Sequence, residues 1–323
     1  MNKLKKIGLS ALAGSLVAIS ANAVEMSISG GATLYMSKGA ETTATGLSME
    51  DSVTFTTSGT TDGGIDVSIS IELDGDAPDG TNVTDSKSIK FGNDELGTVT
   101  FAGHGGSSVM GGMDDKTPNA YEEVWDGVTG ADADVIGGHG GNNLLRYDSP
   151  SFAGVTAHAS YQDAGTDSAA AGAEKVSTYS DFGITIAPEA FPDLEIGMAQ
   201  GNYSATASLD GEESTIYVSY NFGDDITVAY QTSEIDLGTS VNTDESEAFG
   251  ISYTWEDISV SYGTHTIDYG SGTTDQEAKG FSASYTMGGM TIAGMQNTVD
   301  NVGGSTDASN DKEGYEISLS FAF

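Results

Sequence analysis

The sequence contains no cysteine and few basic residues. Among its 323 residues, 11 are lysine or arginine and 48 are aspartate or glutamate, which gives a formal net charge of −37 at pH 7. The absence of cysteine excludes disulfides, thiolate metal sites and a cysteine nucleophile. The shortage of basic residues argues against nucleic acid as a partner, because binding to its phosphates requires lysine and arginine.

Long apolar segments are also missing after the N-terminal region. Beyond residue 23, no apolar run reaches the roughly 18 residues that indicate a transmembrane helix, and hydrophobic residues make up only 37% of the chain. These features exclude an α-helical membrane protein. The acidic composition with 44 glycines also fits a disordered or calcium-binding repeat protein, but the order of the residues argues against both classes.

The N-terminus has the three parts of a secretory signal peptide. Three lysines within the first six residues are followed by an apolar stretch, 7–19, and by Ala21-Asn22-Ala23. This pattern predicts export through the Sec pathway with cleavage after Ala23, whereas a short buried helix is the alternative interpretation. Removing residues 1–23 takes away three basic residues and no acidic ones, so residues 24–323 carry a net charge of −40.

The remaining chain alternates apolar and polar residues almost throughout. From Ile65 to Leu73, every second residue is isoleucine, valine or leucine, and the residues between them are acidic or serine. Because successive side chains of a strand point to opposite faces, such a segment has one apolar and one polar wall. Sixteen strands are predicted, near 26–36, 47–58, 64–73, 84–92, 96–102, 142–149, 153–162, 175–187, 193–203, 213–222, 225–235, 245–255, 257–268, 276–287, 290–300 and 313–323. The one helical turn expected lies near Pro118 to Trp125.

The connectors between these strands alternate in length. Short turns are predicted at 58–64, 93–97, 149–154, 188–192, 223–224, 256 and 288–289. Longer polar loops are predicted at 37–46, 74–83, 103–141, 163–174, 204–212, 236–244, 269–275 and 301–312. This alternation is typical of a transmembrane β-barrel, which has short periplasmic turns and longer external loops.

Aromatic residues gather at the short-turn ends of the strands, where a membrane barrel has its lower aromatic girdle. They are Phe55, Tyr147, Phe152, Phe191, Tyr220, Phe222, Tyr253, Trp255, Tyr285, Phe321 and Phe323. In a soluble fold they would be core aromatics, which need not gather at one end of each hairpin. The opposite wall, rich in serine and threonine, is too polar to pack without water. A closed sixteen-stranded barrel is wide enough to hold that water.

Several stretches resemble alphaproteobacterial general-diffusion porins. They are VTFTTSGTTDGGIDVSISIE (53–72), SIKFG (88–92), GTVTFAG (97–103), NNLLRYDSP (142–150) and the terminal SFAF (320–323). The resemblance implies an all-β, 16-stranded antiparallel transmembrane barrel that forms a homotrimer in the lipids of the bacterial outer membrane. It implies a passive channel for small hydrophilic solutes, with no enzymatic activity and no cofactor. Phe323 would be the signal for the barrel-assembly machinery.

In this family the third external loop folds into the pore and narrows it, and loop 103–141 has the matching position and length. Its acidic residues, expected on one side of the constriction, are Asp114, Asp115, Glu122, Glu123, Asp126, Asp132 and Asp134. The family places basic residues on the facing wall. By alternation, Lys90 and Arg146 point inward, whereas Lys87 points outward. Arg146 is equally well explained as a residue that pins the loop.

We expect the channel to favour cations, because carboxylates lining a pore create a negative potential. Further acids expected to face the lumen are Asp66, Glu72, Asp148, Asp181, Glu195 and Glu316. Acidic clusters in the external loops, Asp74-Asp76-Asp79 and Asp244-Glu245-Glu247, suit Ca²⁺ or Mg²⁺, although a solvated loop surface is the simpler explanation. No two of the four histidines have metal-ligand spacing.

Two other functions stay open at this point. A substrate-specific channel needs a row of basic residues for anions or an aromatic path for sugars. The basic residues are few, and the inward aromatics Tyr35, Tyr179 and Tyr217 are scattered. A membrane-embedded hydrolase needs a serine and a histidine in contact, and sequence alone shows no such pair.

Overall fold

The structure, a computed structural model, describes residues 25–38, 46–74, 84–136, 141–163, 165–166, 175–176, 178–206, 209–236 and 243–323. The predicted signal peptide lies outside the described residues. So do most of the predicted loops 37–46 and 74–83, including Asp76 and Asp79. Among the described residues, no helix is long and apolar enough to cross a membrane.

Eighteen strands occur in the described part of the chain. They are β1 Glu25–Lys38, β2 Gly46–Thr60, β3 Asp66–Asp74, β4 Thr84–Asn93, β5 Gly97–His104, β6 Leu144–Asp148, β7 Val155–Gln162, β8 Gly165–Thr166, β9 Lys175–Val176, β10 Thr178–Ile186, β11 Leu194–Thr206, β12 Leu209–Phe222, β13 Ile226–Asp236, β14 Thr243–Trp255, β15 Ile258–Asp268, β16 Gln276–Met287, β17 Met290–Asp300 and β18 Lys312–Ala322.

All of these strands except β8 and β9 form one closed antiparallel barrel, which confirms the predicted sixteen-stranded fold. Each barrel strand pairs with its neighbours along the chain, and the last strand pairs with the first. At this seam the register runs from Gly31 opposite Ala322 to Lys38 opposite Tyr315. Beyond it, the backbones of Gly30 and Phe323 exchange two hydrogen bonds of 3.0 and 3.1 Å. β8 and β9 pair only with each other.

Two local predictions were wrong. The predicted loop 204–212 is mostly strand, because the β11–β12 pairing continues from Asn202 opposite Glu212 to Ser204 opposite Asp210. The backbones of these polar residues extend the hydrogen-bonded β11–β12 ladder, because polar side chains at the outer end of a strand do not prevent a β conformation. The helical turn expected near Pro118 is absent; the short 3₁₀ turn of this loop lies at Met110–Gly112.

The apolar wall of the barrel faces outward, the reverse of a soluble protein. Phe55, Ile69, Ile89 and Phe91 are exposed, as are all eleven aromatic residues predicted for the girdle. The inward positions of the same strands are mostly serine, threonine, glutamine or acidic residues. This arrangement provides an outer surface suited to lipid and a hydrophilic interior.

The apolar core is small and lies inside the barrel, beneath the loop that follows β5. One buried cluster consists of Val109, Met110, Met113, Ile136, Tyr179, Ala199, Tyr217 and Ile235. A second consists of Val128, Ala278, Val299 and Val302. Both clusters join loop residues to inward-facing strand residues, so burial of apolar surface holds this loop against the wall.

Candidate functional site

The connector between β5 and β6, described at 105–136 and 141–143, lies against the inward wall of the barrel. Its backbone N–H groups donate to Ser160 from Val109 (3.3 Å) and to Asp181 from Met110 (2.7 Å). Further along the loop, the N–H of Ala120 donates to both Ser261 and Ser282. These acceptors lie on the polar faces of β7, β10, β15 and β16, so the loop crosses much of the inner circumference.

Three buried carboxamides of the wall hold the loop backbone. Gln231 accepts from the N–H of Lys116 (2.8 Å) and donates to the carbonyls of Met113 and Asp114 (2.6 and 3.2 Å). Gln276 accepts from the N–H of Asp132 (2.9 Å) and donates to the carbonyl of the same residue (2.8 Å). These two side chains, and that of the third carboxamide, Asn297, are at most 2% exposed.

The third carboxamide is Asn297. It donates to the carbonyls of Glu123 and Asp126 at 2.8 and 2.9 Å. The wall amides therefore bind the backbone of four of the seven predicted loop acids. Sequence reasoning missed these amides, although their inward position followed from strand alternation.

The loop brings four of the predicted acids together. One carboxylate oxygen from each of Glu122, Glu123 and Asp126 lies within 4.8 Å of the others, and the side chain of Asp115 hydrogen-bonds to that of Glu123. Asn119 donates its amide to Glu123 at 3.0 Å. We name Asp115, Glu122, Glu123 and Asp126 the loop acid cluster.

The carboxyl groups of the loop acid cluster differ in pKa. Burial, together with the hydrogen bond and the charge of Glu123, raises the pKa values of Asp115 and of Asp126 to about 8. Burial also opposes ionisation of Glu123, but hydrogen bonds from Asp115 and Asp126 outweigh it and lower the pKa of Glu123. At neutral pH, Asp115 and Asp126 are therefore largely protonated and donate to an ionised Glu123.

Glu122 lies beside wall acids of the β18–β1–β2 region. Burial raises the pKa of Glu122, and the charges of Glu123, Glu316 and Glu50 add to the rise. Tyr121 donates its hydroxyl to Glu316 at 2.6 Å. Glu50 was not predicted from the sequence; it lies on the inward face of β2, opposite Thr33 of β1.

The other three loop acids have their own environments, although the charge of Asp114 acts on Asp115 of the cluster. Asp132 accepts a hydrogen bond from the hydroxyl of Tyr269 (2.5 Å), and Asp134 accepts one from Ser246. Burial raises the pKa of Asp134 to about 6, against the effect of the Ser246 bond. Burial also raises the pKa of Asp114. The seven acids are thus not one uniform ring.

The two predicted basic wall residues lie at the same level of the barrel, because Lys90 and Arg146 both pair with Thr100 of the strand between them. Arg146 binds Asp148 through Nε at 3.0 Å. Its Nη1 donates to the carbonyl of Ser108 at 2.9 Å. Arg146 therefore pins the start of the loop, and its charge is balanced by a neighbouring carboxylate.

Other lysines lie near the loop, and one of them, Lys312, donates its ammonium to the loop carbonyl of Thr129 at 2.6 Å. Lys87 pairs across the strands with the outward residue Ile71, as expected from alternation. Lys116 has its ammonium 5.9 Å from the ring centre of Tyr217, a cation–π distance that holds it toward the wall. The inward aromatics Tyr179 and Tyr217 are 1% and 3% exposed beneath the loop, so they form no lumen-facing path for sugars.

The wall acids predicted to face the lumen divide into two groups. Asp66 and Asp148 line a cavity of about 900 Å³ at the short-turn end, together with Lys90. A second cavity, of about 320 Å³, lies next to Arg146 and Thr100. Other wall acids bind protein groups: Asp181 accepts from the N–H of Met110, Glu195 from the hydroxyl of Tyr217 and Glu316 from Tyr121. Glu72 accepts a bond from Ser86 at 3.2 Å.

The histidines of the described residues do not converge. His104 contacts Asn142 at 2.7 Å, whereas His265 packs on Trp125 with ring centres 4.4 Å apart. His158 binds Asp148 at 2.6 Å and Thr185 at 3.2 Å. His139 lies outside the described residues.

Together, the closed barrel, the apolar outer wall and the hydrophilic interior define an outer-membrane channel. Residues 8–323 match the model of a family described as Gram-negative porin. The chain belongs to the Gram-negative porin family, whose members are diffusion channels of the outer membrane and not enzymes. The hydrolase alternative is therefore wrong.

Solved structures show the same fold at low sequence identity. An anion-selective porin from Comamonas acidovorans is 16% identical, with a TM-score of 0.67 over 93% of this chain and 100% of that one. OmpT of Vibrio cholerae in its trimer form is 10% identical, with a TM-score of 0.66 over 94% and 100%. A multiple mutant of Rh. blastica porin is 15% identical, with a TM-score of 0.62 over 93% and 100%. A comparison with curated proteins gave no significant match.

Proposed function

We propose that this porin is a cation-selective diffusion channel for small hydrophilic solutes, narrowed by loop 103–141. The observation that carries the proposal is the loop acid cluster, which the loop holds inside the barrel. Carboxylates at a constriction attract cations and replace part of their hydration.

The charge balance along the lumen supports selectivity for cations. Of the two predicted wall bases, Arg146 is compensated by Asp148, which leaves Lys90 as the less compensated one, and a third base, Lys312, binds the loop carbonyl of Thr129. On the acidic side, Glu123 is ionised at neutral pH because neighbouring carboxyls donate to it. The wall adds Glu50 and Glu316 near Glu122. The lumen therefore has an excess of negative charge even though Asp115 and Asp126 are protonated.

Several features of the porin's biogenesis belong to the same proposal. The chain is exported by the Sec pathway and cleaved after Ala23, and Phe323 directs it to the barrel-assembly machinery. It forms a homotrimer among outer-membrane lipids, a proposal supported by the trimer form of the structurally similar OmpT. Ca²⁺ or Mg²⁺ binding at acidic loops stays a prediction; of those residues, Glu245 and Glu247 are exposed at the outer end of β14.

The test is the reversal potential across a planar bilayer under a KCl gradient. We compare wild type with a variant carrying Glu122→Gln, Glu123→Gln and Asp126→Asn. The control variant carries Glu212→Gln, Glu234→Gln and Glu245→Gln, three exposed acids on the outward face. Lumen charges act at the narrowest section, whereas outer charges are screened over about 8 Å at physiological salt. The loop variant should lose cation selectivity and the control should keep it; unchanged selectivity in the loop variant would contradict the proposal.

A further inference from the structure

A row of glycines crosses the inward wall of five adjacent strands. Gly250 pairs with Gly263, which pairs with Gly280. The row continues through Asn297 to Gly314. Glycine weakens a strand, and in strand interiors it often marks a close approach of another backbone. We name Gly250, Gly263, Gly280 and Gly314 the glycine track.

Loop atoms occupy the space that side chains of the glycine track would fill. A Cβ atom at Gly250 would lie 2.8 Å from Cδ of Pro118. A Cβ at Gly263 would lie 2.9 Å from Cγ1 of Val124. At Gly314 it would meet the carbonyl oxygen of Gly127.

At Gly280 the occupant is a wall side chain. A Cβ there would collide with the amide of Asn297, the residue that binds the carbonyls of Glu123 and Asp126. The glycine track and the side-chain amide of Asn297 together form the wall surface against which loop segment 117–127 packs.

We propose that the glycine track sets how far segment 117–127 extends into the lumen, and so sets the aperture of the pore. The inference rests on the proposed function, in which this loop narrows the channel. The segment has the wall on one side and the lumen on the other. Since carbon atoms in contact prefer about 3.5–4.0 Å, a methyl group at Gly263 must displace Val124 by roughly 0.6–1.1 Å from its 2.9 Å position. The free direction for that movement is into the pore.

The experiment measures single-channel conductance in KCl and the rate of sugar entry into liposomes of defined size. Gly263→Ala should lower both the conductance and the entry of the larger sugars. Adding Val124→Ala removes the facing Cγ1 atom and should restore both values, a rescue that a general loss of stability would not produce. Gly63→Ala is the control, because a Cβ there has only Thr61 Oγ1 within 4 Å, at 3.9 Å, and it should match wild type.

A second variant, Gly250→Ala, keeps the inference testable where Gly263→Ala folds poorly; no single substitution rescues it, because a Cβ there would also lie 2.9 Å from Cβ of Thr117 and 3.0 Å from the backbone oxygen of Pro118. Heat-modifiable migration reports folding of each variant. Wild-type conductance in both folded glycine variants, failure of Val124→Ala to rescue a folded Gly263→Ala, or misfolding of both glycine variants would overturn the inference. The outcome is separate from charge selectivity: an anion-selective wild type whose conductance falls in Gly263→Ala would contradict the proposed selectivity and support the glycine track.

Discussion

The side-chain amide of Asn297 donates to the backbone carbonyl of Glu123 at 2.8 Å. An uncharged group of the wall therefore positions an ionised residue of the loop. The same amide also donates to the backbone carbonyl of Asp126 at 2.9 Å. Asp126 lies three residues further along the loop. Because the amide does not titrate, it holds the backbone in place while the carboxyl groups around it gain or lose protons.

Replacing Asn297 with alanine should loosen the loop acid cluster without unfolding the barrel. The variant loses the two hydrogen bonds to the loop, each contributing about 0.5–1.5 kcal/mol net, and a contact with the sulfur of Met295, whereas the barrel's ladders are untouched. We expect noisier single-channel current and weaker cation selectivity, with wild-type heat modifiability. Asn221→Ala is the matched control, since Asn221 is exposed and accepts a bond from Thr227. Equal behaviour of the two variants would refute the positioning role of Asn297.

Cation selectivity should increase with pH. The pKa values of Asp115 and Asp126 are raised to about 8, so both carboxyls lose their protons as the pH passes from about 7 to about 9. Each adds a negative charge to the lumen. Reversal potentials recorded from about pH 6 to about pH 9.5 should show this change in wild type. A variant with Asp115→Asn and Asp126→Asn should show a much smaller one; a flat wild-type profile would be inconsistent with the shared protons.

The raised pKa values of Asp115 and Asp126 also make the stability of the folded state decrease as the pH rises. A carboxyl whose folded pKa is raised holds a proton that the unfolded chain has already released. Asp115 and Asp126 therefore favour the folded state less as pH rises from about 4 to about 8. Above that range their contribution is constant.

Two substitutions at Arg146 separate its charge from its contacts. Arg146→Lys keeps the positive charge but lacks the planar guanidinium that bridges Asp148 and the carbonyl of Ser108. We expect wild-type selectivity with noisier current. Arg146→Ala should give noisier current and also stronger cation selectivity, because Asp148 loses its cationic partner. Identical selectivity in the alanine and lysine variants would show that the charge of Arg146 does not reach the permeation path.

The C-terminal residue combines two roles that variants can separate. The backbone of Phe323 pairs with Gly30 at the barrel seam, while the residue as a whole is 70% exposed. Phe323→Ala keeps the backbone bonds and removes the ring, whereas deletion of Phe323 removes both. If the ring is the assembly signal, both variants should be exported normally but give less heat-modifiable porin in the membrane. Normal assembly of Phe323→Ala with a defect in the deletion would assign the effect to the seam.

Strand alternation predicted the barrel and the direction of most wall residues, because side-chain direction in a strand depends on local backbone geometry. Strand alternation did not predict which of the seven loop acids lie close together, because the conformation of an irregular loop depends on contacts with residues distant in the sequence. Asp132 is held by Gln276, 144 residues away in the sequence, and Lys116 by Gln231, 115 residues away. For the same reason Asp181, expected to line the pore, instead binds Met110 beneath the loop. None of these three contacts leaves a pattern in the local sequence.

The sign of the wild-type reversal potential decides whether this porin favours cations. The purified porin is inserted into a neutral planar bilayer at neutral pH, with KCl more concentrated on one side. We expect a potential whose sign shows K⁺ to be more permeant than Cl⁻, because ionised Glu123 and the acidic wall outweigh Lys90 and the compensated Arg146. A potential of the opposite sign, showing preference for Cl⁻, would contradict it.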